Sequence, residues 1–149
     1  MERKSSLLTA SKVLGIISTV AYGIVMVGML ATLAFPTDFN IVMSISWISN
    51  FVFCILGTVW CNKAKTYWSK EYCIKAGTVF IVLSCVTFNI LTILSAIFCL
   101  VEKKNLDESG ISVKGSVIVS SVVCGILGAL PLIYSIFFIG AIGSAISAF

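Results

Sequence analysis

Two asparagines and two cysteines lie at matching positions inside uncharged stretches, where their spacing could serve chemistry in a membrane. Cys54 follows Asn50 by four residues and Asn89 follows Cys85 by four, so each pair shares one helix face. If these stretches form an antiparallel hairpin, residues at equal depth have numbers that sum to about 139, and both the asparagines and the cysteines meet this condition. We therefore predict that the two amides face each other, with Asn50 hydrogen-bonded to Asn89 or to its neighbouring backbone, contributing about 0.6 to 2 kcal/mol.

Other residue types that perform chemistry are scarce. The chain has no histidine, which removes the commonest metal ligand and the commonest acid or base near neutral pH. Cys61 and Cys73 lie in a polar segment, and a thiol pair with this spacing is a weak zinc signature. We expect both to remain thiols in a cytoplasmic loop, or to be acylated there in a eukaryotic host. The sequence predicts no catalytic site, metal or cofactor, and an enzyme is not expected.

Composition indicates a membrane protein. Hydrophobic residues make up 59% of the 149 residues and charged residues 11%, whereas soluble domains carry about a quarter charged residues. The net charge of +4 comes from basic residues next to apolar stretches. This charge is better explained by orientation in a bilayer than by binding to nucleic acid.

The uncharged stretches predict an all-α integral membrane domain covering residues 1–149. Its four transmembrane helices would form an up-down bundle of two hairpins and cover residues 13–35, 41–60, 76–101 and 116–139. The short link from Pro36 to Asn40 requires the first two spans to be antiparallel. The uncharged run from Gly115 to Phe149 is too long for one upright span, so we expect Pro131 to kink it and residues 140–149 to form an apolar interfacial tail.

Four lysines, Lys63, Lys65, Lys70 and Lys75, lie among aromatic residues between the second and third predicted spans. Such a segment is typical of a cytoplasmic membrane surface, and its lysines are candidates for contact with anionic lipids. With both termini in the cytoplasm, seven basic residues would lie inside, and only Lys103, Lys104 and Lys114 outside. The positive-inside rule therefore favours this orientation, most simply in the plasma membrane.

Small residues recur at helical spacing and predict close helix packing. They occupy Gly15, Thr19 and Gly23 in the first span, and Ser121, Gly125 and Ala129 in the fourth. This spacing lets helix backbones approach closely. Packing within the bundle is a simpler explanation for it than a dedicated oligomer face.

The predicted spans contain no Asp, Glu, Lys, Arg or His, although proton pumps, voltage sensors and ion relays depend on such side chains within the membrane. We therefore expect a non-catalytic multi-pass membrane protein that acts as an accessory, scaffold or regulatory subunit. Its partners would be membrane lipids, and other membrane proteins or further copies of itself. The alternative is a small oligomeric permease or channel whose polar path passes Asn50 and Asn89.

Overall fold

A computed structural model describes residues 5–35, 37–108, 110 and 114–146, and within them the chain is almost entirely helical. The helices are α1, Ser6–Thr32; α2, Asp38–Tyr67; α3, Lys70–Thr87; α4, Ile90–Glu102; and α5, Lys114–Ile146, with a short 3-10 helix, Lys103–Asn105, after α4. Within this described part, three helices are long and apolar enough to cross a membrane: α1, α2 and the Gly115–Ile139 section of α5. The predicted all-helical membrane class is therefore supported, but the bundle of four spans is not confirmed.

Three of the helices begin at polar residues whose side chains cap the first turn. Ser5 Oγ accepts a hydrogen bond from the Leu8 amide at 3.0 Å. Thr37 Oγ1 accepts one from the Asn40 amide at 3.2 Å, and Asn89 Oδ1 accepts one from the Leu91 amide at 2.9 Å. These bonds satisfy amides that have no partner inside the helix, so they define where α1, α2 and α4 start.

Helices α1 and α2 form the antiparallel hairpin that their short link predicts. At one end, the Cys61 thiol donates to the Leu8 carbonyl at 3.5 Å. At the other, the Ser44 hydroxyl donates to the Met29 carbonyl at 3.4 Å. The two helices therefore remain in contact over most of their length.

The predicted span over residues 76–101 is not one helix. Helix α3 ends at Thr87, and Phe88 adopts the left-handed conformation with φ 51°, donating its amide to the Ser84 carbonyl at 2.8 Å. Asn89 then caps α4. A left-handed residue followed directly by an N-cap ends one helix and starts another, so the chain reverses here although no charge interrupts the stretch.

Helices α3 and α4 pack against each other as an antiparallel hairpin, which we call the half-span hairpin. The Cys73 thiol donates to the Cys99 carbonyl at 2.8 Å, and Gly77 lies against Cys99 and Leu100. The tip contacts α1, where the Tyr22 hydroxyl lies 2.6 Å from Thr87 Oγ1. The apolar part of α1 beside the hairpin, from Val13 to Tyr22, is about 14 Å long, which is roughly half the thickness of a 30 Å hydrocarbon core.

The half-span hairpin changes the predicted topology. It leaves and returns at the same end of the bundle, so the segments that follow α2 and α4 lie together instead of on opposite sides. Helix α5 then runs from that end to the other, with Gly125 beside Val82 and Tyr134 beside Phe39. The start of α1 and the end of α5 consequently lie at opposite ends of the bundle, whereas the sequence predicted both termini at one end.

Helix α5 also differs from its predicted form. It continues through Pro131 and past Gly140 to Ile146, so the helix does not end near Ile139 as predicted. The section of α5 that is apolar enough to cross a membrane does end at Ile139. The interfacial position of residues 140–149 stays a prediction, and residues 147–149 lie outside the described part. Proline removes one backbone donor from a helix interior. The Ser46 hydroxyl of α2 donates to the Gly128 carbonyl at 3.1 Å, which bonds α2 to α5 one turn before Pro131.

One aromatic side chain joins three helices at the centre of the bundle. Phe80 of α3 is fully buried. Its ring lies against Gly57 of α2 and Gly15 of α1: a Cβ atom would lie 2.9 Å from the ring at Gly57 and 3.1 Å from it at Gly15. The two glycines therefore form a notch that holds Phe80 and fixes α3 against the α1–α2 hairpin.

Candidate functional site

The tip of the half-span hairpin brings polar groups together part-way along the bundle. Tyr22 and Thr87 are joined by their hydroxyl groups, and Thr87 Oγ1 donates to the Leu83 carbonyl at 2.7 Å. Thr92 Oγ1 donates to the Asn89 carbonyl at 2.7 Å. These bonds satisfy groups at a chain reversal that would be costly to leave unpaired in lipid.

The base of the hairpin contains a reciprocal hydrogen-bond pair between α1 and α4. The Ser11 hydroxyl donates to the Ser95 carbonyl at 2.9 Å, and the Ser95 hydroxyl donates to the Ser11 carbonyl at 3.3 Å. Both serines are fully buried. Each hydroxyl thus finds a partner on the facing helix, which holds α4 in register against α1.

Three cysteines meet beside this serine pair. The Cys99 thiol lies 3.9 Å from Cys61 Sγ and 3.2 Å from Ser11 Oγ, and Cys73 contacts the Cys99 backbone. All three cysteines are fully buried. Among the described residues, no group of three Cys, Asp or Glu side chains is arranged to hold a metal ion. These contacts join α2, α3 and α4 and are suited to packing.

The predicted cytoplasmic loop that would hold Cys61 and Cys73 is largely helical. Helix α2 continues to Tyr67 and α3 starts at Lys70, so only Trp68 and Ser69 connect them. Trp68 has φ 51°, the left-handed conformation that ends α2. Both thiols consequently point into the protein, and neither is accessible for acylation in this arrangement.

Asn50 and Asn89 are not brought together as predicted. The Asn89 side chain caps α4, whereas Asn50 Oδ1 faces Gly128 of α5, 3.1 Å from the position of a Cβ atom there. Asn50 is buried, and its Oδ1 has no hydrogen-bond partner among the described residues. The predicted hydrogen bond between the two amides is therefore wrong.

The two cysteines of the predicted strip also face different surroundings. The Thr19 hydroxyl donates to Cys54 Sγ at 3.4 Å, while Cys85 is exposed. The register of α2 and α3 was nearly correct, because Gly57 lies against Phe80 and their numbers sum to 137. The error lies in the rotation of the helices, since the Asn50–Cys54 face of α2 meets α1 and α5.

Lysine residues gather at one end of the bundle. The described basic residues there are Lys12, Lys63, Lys65, Lys70, Lys75, Lys103, Lys104 and Lys114, and the charged residue described at the opposite end is Asp38. The segments after α2 and α4 are bonded together at this lysine end. The Asp107 amide donates to the Trp68 carbonyl at 3.1 Å, and the Lys70 amide donates to the Asp107 carbonyl at 3.0 Å.

The four lysines predicted to contact lipid have different surroundings. Lys70 Nζ lies 2.6 Å from Glu108 Oε1, and this bond raises the pKa of the Lys70 ammonium. Lys65 lines an open groove of about 1530 Å³ around the start of α1. Lys63 and Lys75 lie over the ring of Tyr72, at 5.6 Å from its centroid in each case.

The sequence did not identify the interhelical contacts of α1. Ser11, Ser18 and Tyr22 are buried polar residues in this apolar helix, and with Gly15 they form one face that meets the other helices. Their spacing of three or four residues was a usable signal.

No protein-family model, curated protein sequence or solved structure matches this chain.

Proposed function

We propose that this protein is a non-catalytic membrane subunit that acts as a scaffold or accessory protein through contacts with lipids and with other membrane helices. One observation carries the proposal: buried polar groups bond one helix to another. Ser11 pairs with Ser95, Tyr22 with Thr87, and Ser46 with the Gly128 carbonyl. Polar groups used in this way hold a framework together and leave few donors and acceptors to line a transport path.

The outward surface supports this role. Side chains on the outer faces of α1 and α5 are large, apolar and exposed, as at Ile24 and Ile136, each 70% exposed. At the hairpin tip, Phe88 is 83% exposed. Helices α3 and α4 end at the tip, so they do not pack against the halves of α1, α2 and α5 that lie beyond it. A further membrane helix could pack on those exposed halves.

We propose further that the lysine end faces the cytoplasm. Basic residues are retained on the cytoplasmic side of membrane proteins, and every described lysine lies at this end of the bundle. The start of α1 would then be cytoplasmic, and the end of α5 would lie on the other side of the membrane. The plasma membrane remains our proposed location.

Purification from native membrane in a mild detergent tests the scaffold role. We expect a membrane protein at fixed stoichiometry to copurify with the chain, and to be lost when Phe88 is replaced by Ser at the exposed tip. Val101→Ser, exposed near the end of α4 that lies away from the tip, is the matched control. Recovery of the chain alone, or equal loss in both variants, would contradict the proposal.

A permease or channel remains the second candidate, because four buried oxygens have no partner among the described residues. They belong to Ser18, Ser49, Asn50 and Ser121. Such oxygens could contact a polar solute. If so, proteoliposomes containing the protein should conduct a small solute, and Asn50→Leu should abolish the flux while the exposed Asn62→Leu leaves it unchanged. Absence of flux for ions and small neutral solutes would exclude this candidate.

A further inference from the structure

Two lysines from different helices converge on one tyrosine ring at the lysine end. Lys63 belongs to α2 and Lys75 to α3, and each ammonium nitrogen lies 5.6 Å from the centroid of Tyr72. The two nitrogens are thus no more than twice that distance apart. Lys75 Nζ also lies 5.8 Å from the ring centroid of Trp60. Aromatic faces attract cations, so the rings hold two like charges near each other.

Within the part of the chain that the structure describes, the two lysines of this pair lack a carboxylate in ion-pair contact. The adjacent acid, Glu71, accepts a hydrogen bond from the Ser69 hydroxyl at 2.9 Å. Two like charges beside one ring repel each other, and an anion bound close to both would relieve the repulsion.

The rings that position the lysines are themselves fixed. Tyr72 and Trp60 are half-buried and pack against the hydrophobic core. Trp and Tyr residues concentrate at the level of lipid headgroups, which places the two ammonium groups at the depth of lipid phosphates. Toward the bilayer centre, α2 presents exposed Val59, Ile55 and Val52, an apolar surface for acyl chains.

From this arrangement we propose that Lys63 and Lys75, held by Tyr72 and Trp60, form a binding site for the phosphate of an acidic glycerophospholipid, whose acyl chains lie along α2. The inference rests on the proposed placement of the lysine end at a membrane surface, and it gives one of the proposed lipid contacts a specific site. The inference distinguishes among the four lysines that we predicted to contact lipid. Lys70 is already paired with Glu108, and Lys65 shares no ring with a second lysine among the described residues.

Two double variants with the same change of charge provide the test. Purified protein in neutral detergent is mixed with phosphatidylglycerol or with phosphatidylcholine of the same acyl chains, and bound lipid is counted by native mass spectrometry. Each lysine near a membrane surface changes affinity for acidic lipid by roughly fivefold. Lys63→Gln with Lys75→Gln should therefore weaken phosphatidylglycerol binding by about 25-fold. Lys65→Gln with Lys70→Gln should change it by less than about threefold, because neither lysine belongs to the proposed site.

The role of the ring is tested separately. Tyr72→Phe keeps an aromatic face and should bind phosphatidylglycerol as the unaltered protein does, while Tyr72→Leu should lose several-fold in affinity. Protection of the buried Cys61 and Cys99 thiols from alkylation reports whether each variant is folded. Only variants in which both thiols remain protected are compared.

Three results would overturn the site. They are equal weakening by the two double variants, equal binding of phosphatidylcholine and phosphatidylglycerol, and displacement of the lipid by millimolar inorganic phosphate, which would show that the acyl chains contribute nothing. Failure of the scaffold proposal has a different signature, since the chain would then purify without a protein partner while still retaining this lipid.

Discussion

Gly57→Ala should destabilise the protein by forcing a methyl group against the Phe80 ring. The added Cβ would lie 2.9, 3.0 and 3.3 Å from three ring atoms. The ring cannot move away freely, because its Cζ atom also lies against Gly15 of α1 and the side chain is fully buried. Overpacking of this kind costs about 1–3 kcal/mol, and the better helix propensity of alanine returns up to about 1 kcal/mol. We expect a net loss of about 1–2 kcal/mol in the free energy of unfolding.

Gly28→Ala is the matched control, since no atom lies within 4 Å of a Cβ there. Unfolding can be followed by circular dichroism as SDS is added to mixed micelles. Alkylation of Cys73 and Cys99, both fully buried in the half-span hairpin, reports whether α3 and α4 separate from the rest. Gly57→Ala should lower the SDS midpoint and speed alkylation, whereas Gly28→Ala should do neither.

A double-mutant cycle decides whether Phe80 is the cause. Phe80→Ala alone should cost about 3–5 kcal/mol, because it leaves a cavity between three helices. Once the ring is gone, adding Gly57→Ala should no longer destabilise. Equal effects of Gly57→Ala and Gly28→Ala, or an undiminished cost of Gly57→Ala without the ring, would refute the glycine notch.

Three further predictions test other parts of the structure. Tyr22→Phe removes the hydroxyl that bonds Thr87 and should lower the free energy of unfolding by about 0.5–1.5 kcal/mol. The Tyr67 side chain is 67% exposed, so Tyr67→Phe should change the free energy of unfolding little. Equal losses for the two variants in SDS titration would contradict the contact between Tyr22 and Thr87. Single cysteines placed at Asn62 and Asn105 should both react with an impermeant thiol reagent added to the same side of a sealed membrane, and a cysteine at Asp38 should react from the other side. Reaction of the Asn62 and Asn105 cysteines from opposite sides would exclude the half-span hairpin. A variant that retains only Cys54 and Cys85 should form no intramolecular disulfide under a membrane-permeant oxidant, because Cys54 faces α1 while Cys85 is exposed; a disulfide would restore the predicted strip.

Composition and run length predicted the helical membrane class, because both record how much apolar surface the chain must place in lipid. The link from Pro36 to Asn40 also predicted the α1–α2 hairpin, since so short a connection permits only antiparallel neighbours. The packing of Gly15 and Gly23 against α2 agrees with their spacing. Because these features depend on local sequence, the sequence alone was sufficient to predict them.

The chain reversal at Phe88 and Asn89 could not be read from hydropathy. Hydropathy measures whether a segment suits lipid, and a hairpin of two apolar helices suits it as well as one long helix does. Asn89 was noted in the sequence, but it was assigned to a partner on another helix instead of to the cap of α4. A phenylalanine in the left-handed conformation is also uncommon, so the residue type at position 88 did not predict the chain reversal.

The rotation of α2 was missed for a related reason. Pairing by equal depth fixes how far two residues lie along the helices, but not which face each helix presents. Helix α2 packs against several helices, and its Cys54 contacts α1 while its Asn50 contacts α5. The predicted strip treated α2 and α3 as an isolated pair, and the competing contacts with α1 and α5 determined the outcome.

The half-span hairpin is tested most directly by the distance between Cys61 and Cys99. Their sulfur atoms lie 3.9 Å apart, whereas one continuous helix over residues 76–101 would separate these residues by roughly 35–40 Å, at opposite sides of the membrane. A variant that retains only Cys61 and Cys99, with the other four cysteines replaced by alanine, can be oxidised in native membrane and read by mass spectrometry of its peptides. An intramolecular disulfide that forms readily and is reversed by reductant is the predicted result. Two free thiols after oxidation, in protein that remains folded, would contradict it.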